Sequence, residues 1–251
     1  MAPRGEPNQA AKILATKTTF GERNLAQVRA KYYPGSEQNQ WWHLLGEIVS
    51  GNDFLEIGAG SGVFPQNTNY PLGKVDGCDL DPRVLDNPFL NRAWIADFYD
   101  LSALRGRTYD VIYSHMVAEH VARPEDFLTA QLELLRPGGV IFHSTLSKWS
   151  VPAVANRLLP KFVARRVLSF LRTKRSEDEV FEAFYRLNDK FQLRRIERKL
   201  GVRCEGVFVS QPIGYFKFNR SLLSVTSWVF SKLEILFPQM RTQLVVIVRK
   251  Q

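Results

Sequence analysis

A short apolar run, Phe54 to Ile57, breaks into glycines on alternate positions, Gly58, Gly60 and Gly62, within the string LEIGAGSG (Leu55 to Gly62). No other stretch constrains the fold so strongly. A buried strand must end there, because glycine tolerates the positive φ of a sharp turn and lets a ligand approach bare backbone. Glu56 adds a carboxylate near the tip of that strand. Together these features outline a nucleotide-type cofactor site.

Two ligand classes compete for such a loop. Dinucleotide enzymes use G-x-G-x-x-G, with the pyrophosphate over a helix N-terminus. Here the spacing is G-x-G-x-G, and Val63 stands where the third dinucleotide glycine belongs. Glu56 would also repel a pyrophosphate. It suits a cationic amine better, and S-adenosylmethionine offers an ammonium, a sulfonium, a ribose diol and an adenine without any phosphate.

The rest of the chain supports an open sheet. Asn24 to Tyr33 and Glu37 to Val49 read as helices around the turn Pro34-Gly35, after a tail of about twenty residues. Lys74 to Leu80 (KVDGCDL) reads as a second strand ending at Asp79, which lies 23 positions beyond Glu56. That offset is close to the roughly 20 residues at which a neighbouring acidic side chain reaches a ribose diol. Ala93 to Ala96 and Tyr109 to Ser114 follow as strands, the former leading into Asp97. Glu56, Asp79 and Asp97 would then converge on one cleft, although any one of them alone is as well explained as a cap or loop residue. Pro124 to Leu135 reads as a helix stopped by Pro137-Gly138-Gly139 before a strand Val140 to Ser144. Gly201 to Ser210 and Thr242 to Val248 supply two closing strands, and alternating helices and strands imply a mostly parallel sheet. The expected organisation is an N-terminal tail and helices (1–50), a cofactor-binding core (51–147), a basic helical insertion or lid (148–200) and C-terminal strands that complete the sheet (201–251).

Composition narrows the setting. With 251 residues, 45% of them hydrophobic, the chain can bury a full core in one large domain. Cys78 and Cys204 form no C-x-x-C pair, so neither a disulfide framework nor a zinc site is expected. The expectation is a reducing cytoplasm, with no secretion signal and no spanning segment. Charge is uneven: residues 1–150 carry 14 Lys and Arg against 17 Asp and Glu, and residues 151–251 carry 20 against 8. The second part is therefore expected to meet something anionic, unless its basic surface serves solubility alone.

LEIGAGSG, the CDLD around Asp79, the IAD ending at Asp97, YDVIYSHMVAEHV (Tyr109 to Val121) and LLRPGGVIF (Leu134 to Phe142) resemble, in order and spacing, class I S-adenosylmethionine-dependent methyltransferases. The likeness is nearest to small-molecule enzymes such as those of quinone biosynthesis, and covers roughly residues 29 to 146. The resemblance implies a Rossmann-like seven-stranded sheet, mostly parallel with an antiparallel last strand, with helices on both faces and a helical insertion before the last two strands. It implies that Glu56 holds the methionine ammonium, that Gly58, Ala59 and Gly60 border the methionine, and that Asp79 grips the ribose. It places Leu80 on the adenine face, Asp97 on the adenine amino group with Ala96 and Phe98 beside it, and Ser114 and His115 toward the sulfonium. Arg29, Tyr32 and Tyr33 are candidates for the cofactor carboxylate.

His115 is the candidate general base, since imidazole titrates near neutrality, against the plainer reading that it only shapes the pocket. Glu119-His120 is expected to fix its loop, and His43 and His143 to be structural. Lys161 to Arg172 reads as a basic amphipathic helix, either a lid or a contact to the inner face of an anionic membrane. Ser221 to Phe237 is apolar but interrupted. The expected partner is a small-molecule or lipid-linked, anionic acceptor. No metal is expected. DNA is not expected as a partner: the Asn/Asp-Pro-Pro-aromatic and Pro-Cys signatures are absent after the fourth strand. RNA methylation through the basic part and a non-catalytic cofactor-binding protein remain as alternatives.

Overall fold

The computed structural model describes residues 20–34, 44–45, 53–61, 74–158, 182–211 and 216–250. Its centre is one seven-stranded sheet of β1 (Asp53–Ile57), β2 (Lys74–Asp79), β3 (Arg92–Ile95), β4 (Tyr109–His115), β5 (Leu135–Leu146), β6 (Val202–Val209) and β7 (Gln243–Lys250). The strand order is β3-β2-β1-β4-β5-β7-β6. Strands β1 to β5 pair in parallel, and β7 runs antiparallel between β5 and β6. The helices are α1 (Phe20–Tyr32), α2 (Pro124–Leu134), α3 (Val151–Leu158), α4 (Lys190–Leu200) and α5 (Arg220–Leu236).

The central strands are apolar on both faces because both are covered. Leu55, Ile57, Ile112 and Ile141 pack with Phe127 and Leu128 of α2 and with Leu193 and Ile196 of α4. Phe54, Val111, Tyr113, Phe142, Val245 and Ile247 form the core of the other face, with Leu45. Local chemistry sets the helix ends. Asp189 caps α4 by accepting from Gln192 N at 2.9 Å, and Gly201 closes it in the left-handed conformation. Asn219 caps α5 by accepting from Leu222 N at 3.1 Å.

One expected boundary is wrong. Pro137-Gly138-Gly139 does not separate a helix from a strand; α2 ends at Leu134, and β5 begins at once and runs through all three residues. Pairing with β4 jumps from Tyr109↔Leu135 to Val111↔Val140, so the Pro-Gly-Gly forms an irregularity inside the ladder. Arg136 sits in it and binds Asp53 at 2.7 Å and Asp110 at 2.9 Å, tying β5 to the starts of β1 and β4. The tail, most of Glu37 to Val49, Gly62, Val63, His43 and the segment Lys161 to Arg172 lie outside the described residues.

Candidate functional site

Strands β3, β2 and β1 are neighbours, so their carboxyl ends bring Asp97, Asp79 and Glu56 to adjacent positions on one rim of the sheet. Glu56 is buried and accepts a hydrogen bond from the Tyr113 hydroxyl at 3.1 Å. Asp79 holds the glycine loop: one carboxylate oxygen accepts from Gly60 N at 2.8 Å, the other from Asp81 N at 2.9 Å. A carboxylate has about four acceptor positions, so Asp79 keeps capacity for a diol. Asp97 is exposed and accepts from Tyr99 N at 2.8 Å. Ala96 N is engaged by Asp79 O at 3.0 Å, and the Phe98 ring packs on Tyr99 and Phe127.

The loop itself is built for close approach. Gly58 N and Ala59 N both donate to Cys78 O, at 2.8 and 3.1 Å. Gly58 has φ +74°, and a Cβ there would stand 2.4 Å from Val117 Cγ2. Gly60, φ +54°, has nothing within 4 Å of such a Cβ, so its backbone faces open space. Leu80, just past the tip of β2, is 57% exposed, an apolar surface at the rim. Asn87 Nδ2 donates to Ala59 O and Gly60 O, both at 3.1 Å, a brace the sequence did not reveal. Burial and the nearby Asp79 and Glu56 push the Cys78 thiol up to about 12, so it is no nucleophile.

At the β4 tip the expectations divide. Ser114 is fully buried, and its hydroxyl is engaged by His143 Nδ1 at 2.8 Å. Its hydroxyl is therefore on the α2 face of the sheet, and only its backbone lies at the rim. His143 is not an isolated histidine: it is Ser114's strand partner and lies 4.9 Å from the Phe127 ring, where burial lowers it to about 3. His115 follows Val111 and Tyr113 in side-chain alternation, which puts it on the Glu56 side. Burial lowers its imidazole to about 4, so the ring is neutral at neutral pH but a weaker base than the near-neutral titration expected of it would make it. Directly after it Met116 adopts φ 58°, and the chain turns so that Val117 packs on Gly58.

The Glu119-His120 pair does fasten this loop. Glu119 is buried, which holds its carboxyl above the usual range, and Thr145 Oγ1 donates to it at 2.6 Å. Its carbonyl accepts from Phe184 N and Tyr185 N, and His120 Nδ1 donates to Glu182 O at 2.7 Å. Asn188 Nδ2 completes the network by donating to Thr145 Oγ1 and Leu146 O, at 2.7 and 2.6 Å. Tyr33 goes elsewhere: it is buried against α5, its hydroxyl 3.3 Å from Ser227 O. Among the described residues no cluster of His, Cys, Asp or Glu could hold a metal ion.

Comparison with known proteins gives the family and the fold. A family model described as a methyltransferase domain matches residues 34–192. The ubiquinone biosynthesis O-methyltransferase of Cereibacter sphaeroides is 35% identical over 101 residues, 38% of this chain and 41% of that protein. The one of Paraburkholderia xenovorans is 32% identical over 114 residues, 42% and 47% of the respective chains. The chain thus spans less than half the length of these curated relatives. A chain from the solved complex of the Haloferax volcanii Trm112 methyltransferase activator with a methyltransferase shares the fold, with TM-score 0.51 at 15% identity over 91% of this chain and 97% of that one.

Proposed function

Because the chain belongs to the methyltransferase-domain family, we propose that it transfers a methyl group from S-adenosylmethionine to a small or lipid-linked, anionic acceptor. The observation that carries this reading is the row of Glu56, Asp79 and Asp97 at successive strand tips around a glycine loop whose Gly60 faces open space. These groups fit that cofactor in kind. Glu56 suits the ammonium directly or through loop amides, Gly58, Ala59 and Gly60 admit the methionine chain, and Asp79 retains acceptor capacity for the ribose hydroxyls. Leu80 would offer an apolar face to adenine, and Asp97, with Ala96 and Phe98 beside it, would accept from the adenine amino group.

The cofactor, when bound, supplies a methyl carbon already activated by positive sulfur. What remains for the protein is alignment and exclusion of water. His115, neutral and at the β4 tip, is the group proposed to take the acceptor's proton, and the turn after it, at Met116 and Val117, is packed on the loop through Gly58. Contact with an anionic membrane would accompany a lipid-linked acceptor. The basic helix α4 offers less to the RNA alternative, because it runs from the cleft rim at Asp189 down the flank of the sheet to Gly201.

Calorimetry with S-adenosylhomocysteine and with NAD tests the cofactor. Binding of the former alone, lost in Asp79→Ala, is the expected result, and binding of NAD alone would refute it. Methyl transfer to a cell extract, read by mass spectrometry, then identifies the acceptor. His115→Ala should lower kcat with little change in cofactor affinity; a variant kcat equal to that of the wild type at every pH would remove the base assignment.

A further inference from the structure

Helix α5 turns a row of apolar side chains outward, away from the side on which it packs. Leu223, Ser227 and Glu234 are its buried positions on the side where α1 packs; Tyr33, just past α1, reaches Ser227 O, and Asn24 Nδ2 donates to Lys217 O, just before α5, at 3.1 Å. The outward side nonetheless carries Leu222, Val225 (60% exposed), Trp228 (53%), Val229, Ile235 and Leu236 (71%). An apolar stripe of this length on the solvent side of a helix marks a surface that meets another apolar phase. Among the described residues no helix is long and apolar enough to cross a membrane, so α5 does not satisfy this pattern by spanning.

Charge selects the occupant. From Phe216 to Phe237 every exposed charge is positive, namely Lys217, Arg220 and Lys232, and the single carboxyl, Glu234, is buried. Symmetric pairing of two copies through this face would set those cations against one another. An anionic lipid surface takes the apolar side into its acyl boundary and pairs the cations with head groups. The position of the helix also matters. The excursion from β6 to β7 leaves and returns at Val209 and Gln243, which pair at the carboxyl end of β5, and Ser147 just past β5 donates to Gln239 O at 2.7 Å. That is the rim on which Glu56, Asp79 and His115 stand.

We propose that the outward face of α5 is a docking surface for anionic membranes, which brings the cleft rim to a lipid-linked acceptor; the second clause rests on the function proposed above, the first does not. The test is co-sedimentation of the full chain with vesicles of phosphatidylglycerol and phosphatidylcholine, and of phosphatidylcholine alone. The expected result is binding to the anionic vesicles, weakened by salt. Val225→Asp should lower the partition coefficient by about tenfold, the worth of one buried valine side chain. Brominated acyl chains should quench emission from Trp228, with the quenching reduced in Trp228→Phe. Circular dichroism and S-adenosylhomocysteine calorimetry on the same samples establish that each variant is folded. Absence of vesicle binding, unchanged partitioning of Val225→Asp, or a dimer that this substitution disperses without any lipid effect would overturn the docking surface. A wild-type chain that binds vesicles but not S-adenosylhomocysteine would refute the cofactor reading and leave the docking surface standing.

Discussion

Gly58→Ala separates two costs that the cofactor loop imposes on one residue. The backbone there has φ +74°, and an L residue in the left-handed region costs about 1–2 kcal/mol. The new methyl would also stand 2.4 Å from Val117 Cγ2, and forcing a methyl into a filled space costs about 1–3 kcal/mol. The sum is a loss of about 2–5 kcal/mol. Val117→Ala removes the collision and leaves the dihedral, so the double variant should keep only the conformational part beyond the cost of Val117→Ala itself. The coupling energy should therefore be favourable by about 1–3 kcal/mol. Urea denaturation of the wild type, both singles and the double closes the cycle. Calorimetry with S-adenosylhomocysteine should show weakened binding in Gly58→Ala, because the strain displaces the Gly58 N to Cys78 O bond. A single variant within about 0.5 kcal/mol of wild type, or additive effects in the double, would refute the argument that Val117 and the glycine loop are packed in contact.

Three further outcomes follow from the same geometry. Asp79→Asn replaces an acceptor for Gly60 N or Asp81 N with a donor, and should cost about 1.5–3 kcal/mol of stability together with cofactor affinity; retention of both would show that the carboxylate does not hold the loop. His143 and His115 titrate near 3 and 4 when folded but near 6.5 when unfolded. Between about pH 6.5 and pH 4 the unfolded chain binds the extra protons, so stability is full above that window and falls as pH drops through it. The slope is about 1.4 kcal/mol per pH unit for each ring. Urea midpoints at pH 7, 6 and 5 check this, and a flat series would contradict it. Thr145→Val strips the partner from Glu119 and from Asn188 Nδ2 inside the protein, and should cost about 2–4 kcal/mol; a loss below about 1 kcal/mol would mean that the two groups find each other or water.

The strands were legible because apolar runs of four to eight residues bounded by Gly, Pro or Asp have few other uses, and β1 to β4 lie where those runs lie, within a residue or two. Strand β5 escaped because Pro-Gly-Gly is a strong local stop signal that pairing to β4 overrides, a tertiary effect with no local trace. In the site the carboxylates were legible for the same local reason: each closes, or closely follows, an apolar run. Ser114 was not. In a strand covered on both faces, Val111 to Ser114 are all buried, so no polar alternation marks which face a given side chain takes. The same ambiguity hid His143. Asn87, Tyr113 and Val117 reach the site only through register and loop packing, which join positions 27 to 59 residues apart.

The loop after β4 joins the two halves of the proposed reaction. Met116 donates its N–H to Ser144 O at 2.8 Å while holding φ 58°, so the chain leaves β4 at a fixed angle rather than as a free connection. From there Val117 rests on Gly58 of the cofactor loop, and Glu119 is bound to Thr145 and to the backbone of Phe184 and Tyr185. The stretch 182–189 is in turn fixed to the end of β5 through Asn188 and the Lys148–Asp189 ion pair at 3.0 Å. The turn that follows His115 is thus fixed to the glycine loop through Val117 and to the segment leading into α4 through Glu119, by groups that are buried and hydrogen-bonded. If His115 is the proton acceptor proposed above, a turn so fixed would spare it reorganisation when its partner arrives, which is the contribution alignment makes to a displacement whose electrophile is already activated. Damage at Thr145 or Asn188 should consequently lower kcat through the position of His115, not only lower stability.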